Sequence, residues 1–292
     1  MRVVSFLPAA TEIVCALGLE ESLVGVSHEC DYPAIARERP VVVHSAMALA
    51  ALGPAAIDDA VRQRLHGGES LYVVDESLLR ALAPDLIITQ DLCQVCAPSG
   101  NDVTRLLASL SPRPEILYLT PRSFEDVADN LRAVARATGT EARAEALLAE
   151  REQRLAHVSE RMKGTSHPTV FFAEWVEPIY CAGHWVPEMI ERAGGVPLIA
   201  RPNADSVRID RDEIPAAAPD VIIVGPCGFS LAGAIEQAPM LGIDAPRIVA
   251  VDANAYFARP GPRLVDGVEL LAHILHPAQF PWSREREAYR EL

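Results

Sequence analysis

Apolar residues along this chain fall into short β-branched runs separated by stretches with helical spacing. Val3–Phe6, Val24–Ser27, Val41–Val43, Leu86–Thr89 and Ile116–Leu119 read as strands. After a long helical stretch, strands resume at Thr169–Ala173, Val196–Ile199, Val221–Val224 and Ile248–Val251. Strands alternating with helices predict parallel sheets covered by helices on both faces, with right-handed crossovers.

Between the two strand-bearing halves lies a helical region. Ser123 followed by Asp126 has the spacing of a capping box, and Phe124, Val127, Leu131 and Val134 form one apolar stripe. Gly139-Thr140 interrupts that pattern, and a second helix is expected from Glu141 to Met162, before Gly164. Pro54 to Leu65 reads as a further helix in the first half. The expected architecture is α/β: two Rossmann-like lobes with parallel sheets, joined by a long helix, with a ligand cleft between them. Its divisions are residues 1–120, a linking helical region 121–165, and residues 166–292.

The halves echo each other in one motif. Ala83-Pro84-Asp85-Leu86-Ile87-Ile88 returns as Ala218-Pro219-Asp220-Val221-Ile222-Ile223. Each copy ends a helical segment at a proline, which disfavours helix in the residue before it, and then opens an apolar strand. Recurrence at matching places favours an internal pseudo-repeat.

Composition narrows the function. Half of the residues are hydrophobic and 23% are charged, as in a globular chain. The formal net charge of −14 argues against binding a nucleic-acid backbone, whose affinity comes from neutralising phosphates. No apolar stretch reaches the ~20 residues that cross a bilayer. Met1-Arg2 runs directly into the first strand without the pattern of a signal peptide, and no cysteine is placed for lipid anchoring. Six cysteines, two of them in Cys93-Gln-Val-Cys96, suit a reducing compartment. A cytoplasmic location is therefore expected, or a periplasmic one if the sequence is trimmed from a longer precursor.

Ligands of open α/β sheets bind outside the carboxyl ends of the strands. In this chain those ends carry Pro8-Ala9-Ala10, His28 to Pro33 with Cys30, Asp31 and Tyr32, and Gln90 to Cys96. The second half offers Glu174-Trp175, Tyr180-Cys181, His184-Trp185, Cys227, Tyr256-Phe257 and Arg259. Aromatics are only 5% of the chain, yet two of the three tryptophans fall in these loops. Such loops suit a flat, largely apolar ligand with polar edges. Taken singly, Trp175 and Trp185 are equally read as packing between the lobes.

Cys30, Cys93, Cys96, Cys181 and Cys227 also fall in these loops, while Cys15 sits inside a helix. A Cys-x-x-Cys pair can converge on zinc, an iron–sulfur centre or a redox dithiol, with His28 and His184 adding imidazole. Only one such pair occurs, and small reduced cysteines lining an apolar pocket are the first reading, ahead of a metal contact and of catalysis. His157 and His167 read as surface residues, and His273 and His276 as a helix C-terminus. A thiol- or metal-dependent cytosolic enzyme would rest on Cys93, Cys96, His28, Glu29 and Asp31. No nucleophile elbow, phosphate-binding loop or dinucleotide fingerprint occurs, so a binding protein is the expected class.

The order of several motifs resembles a known family. Ser5-Phe6-Leu7-Pro8-Ala9-Ala10-Thr11-Glu12, Gly25-Val26-Ser27 and Asp31-Tyr32-Pro33 are similar to the opening of class III substrate-binding proteins of vitamin B12 and iron-siderophore transporters. Pro84-Asp85-Leu86-Ile87, Gly194-Gly195, Pro219-Asp220 and the stretch from Tyr256 to Arg263 follow in the family's order, the last being closest to its vitamin B12-binding members. The resemblance covers nearly the whole chain. It implies two α/β lobes joined by a long helix, a corrinoid (cobalamin) as first ligand, and haem or a ferric siderophore behind it. Carried over by position, the contacts would come from Pro8, Ala9, Ala10, Cys30, Asp31, Tyr32, Gln90 and the loop with Cys93 and Cys96. In the second half they would come from Trp175, Tyr180, His184, Trp185, Tyr256, Phe257 and Arg259. The family also implies delivery to an ABC permease through one acidic residue per lobe. Asp212 fits the second such position; the first falls on Ser77, beside Glu76.

Overall fold

A computed structural model describes residues 1–48, 52–90, 110–282 and 287–292. Its chain divides into two compact units. The first comprises Met1–Pro121 and Asp126–Leu147, and the second Arg122–Glu125 and Leu148–Leu292.

Every strand read from the β-branched runs is present in the first unit. They are β1 (Val3–Ser5), β2 (Leu23–Ser27), β3 (Val41–Ser45), β5 (Leu86–Gln90) and β6 (Glu115–Leu119), with the unanticipated β4 (Tyr72–Val74) between β3 and β5. They form one six-stranded sheet in the order β4-β3-β2-β1-β5-β6. All neighbours are parallel except β3 and β4, so the expected all-parallel sheet has an antiparallel edge. Beside these strands lie α1 (Pro8–Ala16), α2 (Pro54–His66) and α3 (Glu76–Leu82). The core beside the central strands joins Val4, Phe6, Val42, Val43, Leu79 and Ile87.

Two further helices follow, α4 (Phe124–Thr138) and α5 (Glu141–Met162). They are shared between the units: the start of α4 belongs to the second, while α5 passes from the first to the second at Leu147.

The second unit repeats the plan. Here β7 (Thr169–Val176), β10 (Val196–Pro197), β12 (Val221–Val224) and β13 (Ile248–Val251) are parallel in the order β10-β7-β12-β13. Two antiparallel strands complete this sheet, β14 (Tyr289–Glu291) beside β13 and β8 (Ile179–Cys181) beside β7. A separate parallel pair is made by β9 (Gly183–His184) and β11 (Arg201–Pro202). The strand expected over Val196–Ile199 stops at Pro197, and Ile199 takes a positive φ of 49°. The helices are α6 (Val186–Arg192), α7 (Glu213–Ala217), α8 (Leu231–Gln237), α9 (Ala253–Tyr256) and α10 (Leu264–Leu275). Arg154 of α5 reaches two carboxylates of α10, with Asp266 at 2.5 Å and Glu269 at 2.6 Å. The ring of Phe124 lies under two guanidinium groups, Arg151 at 4.4 Å and Arg192 at 5.2 Å, a cation–π arrangement.

Candidate ligand-binding site

Each sheet has one strand from which the chain departs to both sides. In the first unit that strand is β1, flanked by β2 and β5; in the second it is β7, flanked by β10 and β12. Crevices at the carboxyl ends of such strands are where open α/β sheets hold ligands.

The end of β1 leads directly into α1, whose first turn is Pro8-Ala9-Ala10. Proline at the first position has the φ a helix needs and lacks only an N–H that would have no helical partner. All three residues are buried, and no side chain caps this helix end. Beyond β2, Cys30 is buried and its sulfur accepts the Thr11 hydroxyl at 3.1 Å, which ties the β2 loop to α1. Asp31 is half-buried near Arg37, while Tyr32 is 45% exposed and precedes a cis proline, Pro33. Gln90 ends β5 and is buried. Cys93 and Cys96 lie outside the described residues.

In the second unit, the end of β7 pairs with β8 so that Trp175 stands opposite Tyr180; both are half-buried. The Trp175 ring lies 5.7 Å from that of Phe229, in the loop after β12, and its indole N–H donates to the Glu177 carbonyl at 3.1 Å. The same loop is fastened by the Cys227 N–H donating to the Glu174 carbonyl at 3.0 Å. The Asn254 N–H, after β13, donates to the Phe229 carbonyl at 3.2 Å. Three successive strand ends thus form one continuous edge with an indole, a phenol and a phenyl ring along it.

Glu174 occupies an irregularity in this edge. The register with β8 shifts between Ala173 and Trp175, leaving Glu174 as an extra residue, the arrangement by which a bulge re-aims a side chain. Its carboxylate accepts the Gly183 N–H at 2.9 Å and the Ser206 hydroxyl. Burial pushes the Glu174 carboxyl above its ordinary value, and those two bonds only partly offset it. His184, at a positive φ of 50°, faces Asp205 at 3.2 Å. Burial holds this imidazole below its ordinary value, outweighing Asp205, and Arg122 acts in the same direction as burial.

Other aromatic residues from the same loops are taken up by the core. Trp185 begins α6, is 6% exposed, and donates its indole N–H to the Phe257 carbonyl at 2.8 Å. Phe257 packs edge-on against Phe172 at 5.2 Å, and Tyr256 stands edge-on to Trp282 at 6.0 Å. Tyr256 and Phe257 are 5% and 2% exposed, so their faces are spent on each other and on the core. Arg259 is half-buried beyond them. Cys181 lies within β8 instead of a loop and is buried, which pushes its thiol up; Cys227 is exposed. Among the described residues, no group of three or more His, Cys, Asp and Glu side chains gathers as a metal site. The structure therefore brings Trp175 and Tyr180 together, with Glu174 and Phe229, and keeps Trp185, Tyr256 and Phe257 beneath the surface. Phe229, Ser206 and Asp205 had no signal in the sequence, because their roles depend on partners far away along the chain.

Comparison with known proteins agrees with this geometry. The family model described as "Periplasmic binding protein" matches residues 3–245. The vitamin B12-binding protein of Vibrio cholerae is 25% identical over 283 residues, covering 95% of this chain and 90% of its own. The crystal structure of the periplasmic vitamin B12 binding protein of Vibrio cholerae superimposes with a TM-score of 0.66 at 23% identity, over 95% and 97% of the two chains. That of a periplasmic haem-binding protein from Pseudomonas aeruginosa gives 0.72 at 20% identity, over 99% and 97%. Two α/β units, each with a switch strand, and a family match over most of the length lead to one assignment: the chain belongs to the periplasmic binding protein family and is a binding protein, not an enzyme.

Proposed function

We propose that this protein binds a corrinoid, with cobalamin as its ligand, one per chain. The observation that carries the reading is the match to a vitamin B12-binding protein over 95% of the chain. The edge at the end of β7 supports it physically. Trp175, Tyr180 and Phe229 offer ring surface at low conformational cost, with polar atoms at the rim, which suits a flat macrocycle bearing amide arms. The ligand would be held by contact and hydrogen bonding.

Haem is the second reading, because a ring-lined edge serves any tetrapyrrole and a haem-binding protein shares the fold. Titration calorimetry with cyanocobalamin and with haem, alongside visible spectra, separates the two. Saturation by cyanocobalamin at one equivalent supports the first reading; heat with haem alone replaces it by the second. Delivery to an ABC permease is the partner role that the family resemblance implies. Among the described residues no helix is long and apolar enough to cross a membrane.

A further inference from the structure

The segment after β11, from Asn203 to Ile209, runs beside the chain from Ile179 to His184. The Cys181 N–H donates to the Val207 carbonyl, the His184 N–H to that of Ala204, the Asn203 N–H to that of His184, and the Ile209 N–H to that of Ile179. Gly183 is crowded by this segment. A Cβ there would stand 2.5 Å from the Ser206 nitrogen and 2.8 Å from the Ala204 carbonyl oxygen. Across that close approach, one side chain bridges the two stretches: the Glu174 carboxylate holds the Gly183 N–H and the Ser206 hydroxyl together. The backbone carbonyl of the same residue holds the loop after β12 through Cys227, and Trp175 is its neighbour. One bulged residue is thus fastened to three segments bordering the aromatic edge: Gly183, residues 203–206 and the loop after β12.

We infer that Glu174 is a positioning residue for ligand binding: its carboxylate latches residues 203–206 onto Gly183 and so sets the edge that carries Trp175 and Tyr180. This rests on the reading that the edge takes the ligand. Each of its oxygens takes one bond, from the Gly183 N–H and from the Ser206 hydroxyl, and it is through these two partners that it acts. Neutral glutamine has the same reach, with an oxygen for the Gly183 N–H and an N–H for the Ser206 hydroxyl oxygen. Geometry, not charge, is then what binding requires.

Four proteins test the latch: wild type, Glu174→Ala, Glu174→Gln and Gly183→Ala, the last displacing the segment while leaving the carboxylate intact. Cyanocobalamin affinity is measured by calorimetry, and amide exchange of His184 and Asn203 in the ligand-free protein. Glu174→Ala and Gly183→Ala should each weaken affinity and speed exchange by roughly tenfold, and Glu174→Gln should stay within roughly threefold of wild type in both. Wild-type affinity in Glu174→Ala overturns the inference, as does a glutamine variant as weak as the alanine one. Should wild type bind no corrinoid, the ligand reading fails and exchange decides the latch alone. Unchanged rates in Glu174→Ala then overturn it, and faster rates reversed by glutamine sustain it.

Discussion

The carboxylate of Asp220 accepts both the backbone N–H and the hydroxyl of Thr169, each at 2.7 Å. Asp85 does the same work in the other unit, accepting the Arg2 N–H at 2.7 Å. Both aspartates belong to the repeated Ala-Pro-Asp motif, and each anchors the start of the switch strand of its own sheet. The alanine before each buried proline ends its helix in the left-handed region, at φ 41° for Ala83 and 49° for Ala218. The left-handed conformation costs an alanine about 1–2 kcal/mol. Glycine escapes that cost but loses about 0.4–1 kcal/mol more chain entropy on folding. Ala83→Gly and Ala218→Gly should therefore each stabilise by about 0.5 kcal/mol. Urea midpoints check this; a loss of stability in both would show that the strain is absent.

Glu174 and Asp220 tilt stability with pH in opposite directions. Burial raises the Glu174 carboxyl above its ordinary value of 4.5, so its contribution is full below that value and is lost as pH rises through the raised one. Bonds from Thr169 lower the Asp220 carboxyl below 3.8; its contribution is present above 3.8 and lost as pH falls through the lowered value. Glu174→Gln should accordingly exceed wild type in stability at neutral pH and converge with it in acid. Asp220→Asn should fall short at neutral pH and converge in acid. Denaturant midpoints across pH measure both slopes; equal pH dependence in Glu174→Gln and wild type would mean the carboxyl is not shifted.

Trp185 and Phe257 are 6% and 2% exposed, and their burial sets the sign expected of their variants. Trp185→Phe keeps a ring but leaves the Phe257 carbonyl without its 2.8 Å donor, at a cost of about 1–2 kcal/mol. Phe257→Ala opens a cavity beside Phe172 and should cost about 3–5 kcal/mol. Ligand affinity of the folded fraction should hardly change in either. Weakened affinity with unchanged melting would place these rings against the ligand instead.

Arg154 serves two carboxylates at once. Burial works against its charge, but the bonds to Glu269 and Asp266 outweigh it and raise the guanidinium further. Arg154→Met leaves Asp266 and Glu269 facing each other without that cation. The loss should be about 2–3 kcal/mol, less than for a fully buried pair because the arginine side chain is 26% exposed. Chemical denaturation reads it; a loss below about 0.5 kcal/mol would mean the pair contributes as a surface one.

The sheet centres were legible because β1, β5, β7 and β12 are apolar runs buried on both faces, and such runs have few alternatives. The helix from Glu141 to Met162 was equally plain, bounded by Gly139-Thr140 and Gly164. The short strands β8, β9, β11 and β14 carry two or three residues each and exist through register with neighbours, which no local pattern records. Within the site, loop aromatics were visible as a class. Trp175 and Trp185 carry the same composition signal, yet Trp175 is half-buried at a strand end while Trp185 is fixed inward by a carbonyl from Phe257. Glu174 was visible only as a polar residue beside Trp175. Its bulge, and a partner thirty-two residues away in Ser206, arise from tertiary packing alone.

Corrinoid binding at the aromatic strand-end edge is decided by calorimetry of Trp175→Ala beside wild type. Truncating a ring that contacts ligand typically costs on the order of 1–3 kcal/mol of binding. Wild type should take up one equivalent of cyanocobalamin, and Trp175→Ala should bind it roughly tenfold or more weakly with its melting temperature nearly unchanged. A wild type that ignores cyanocobalamin, or a Trp175→Ala variant that binds it fully while losing several degrees of melting temperature, would contradict it.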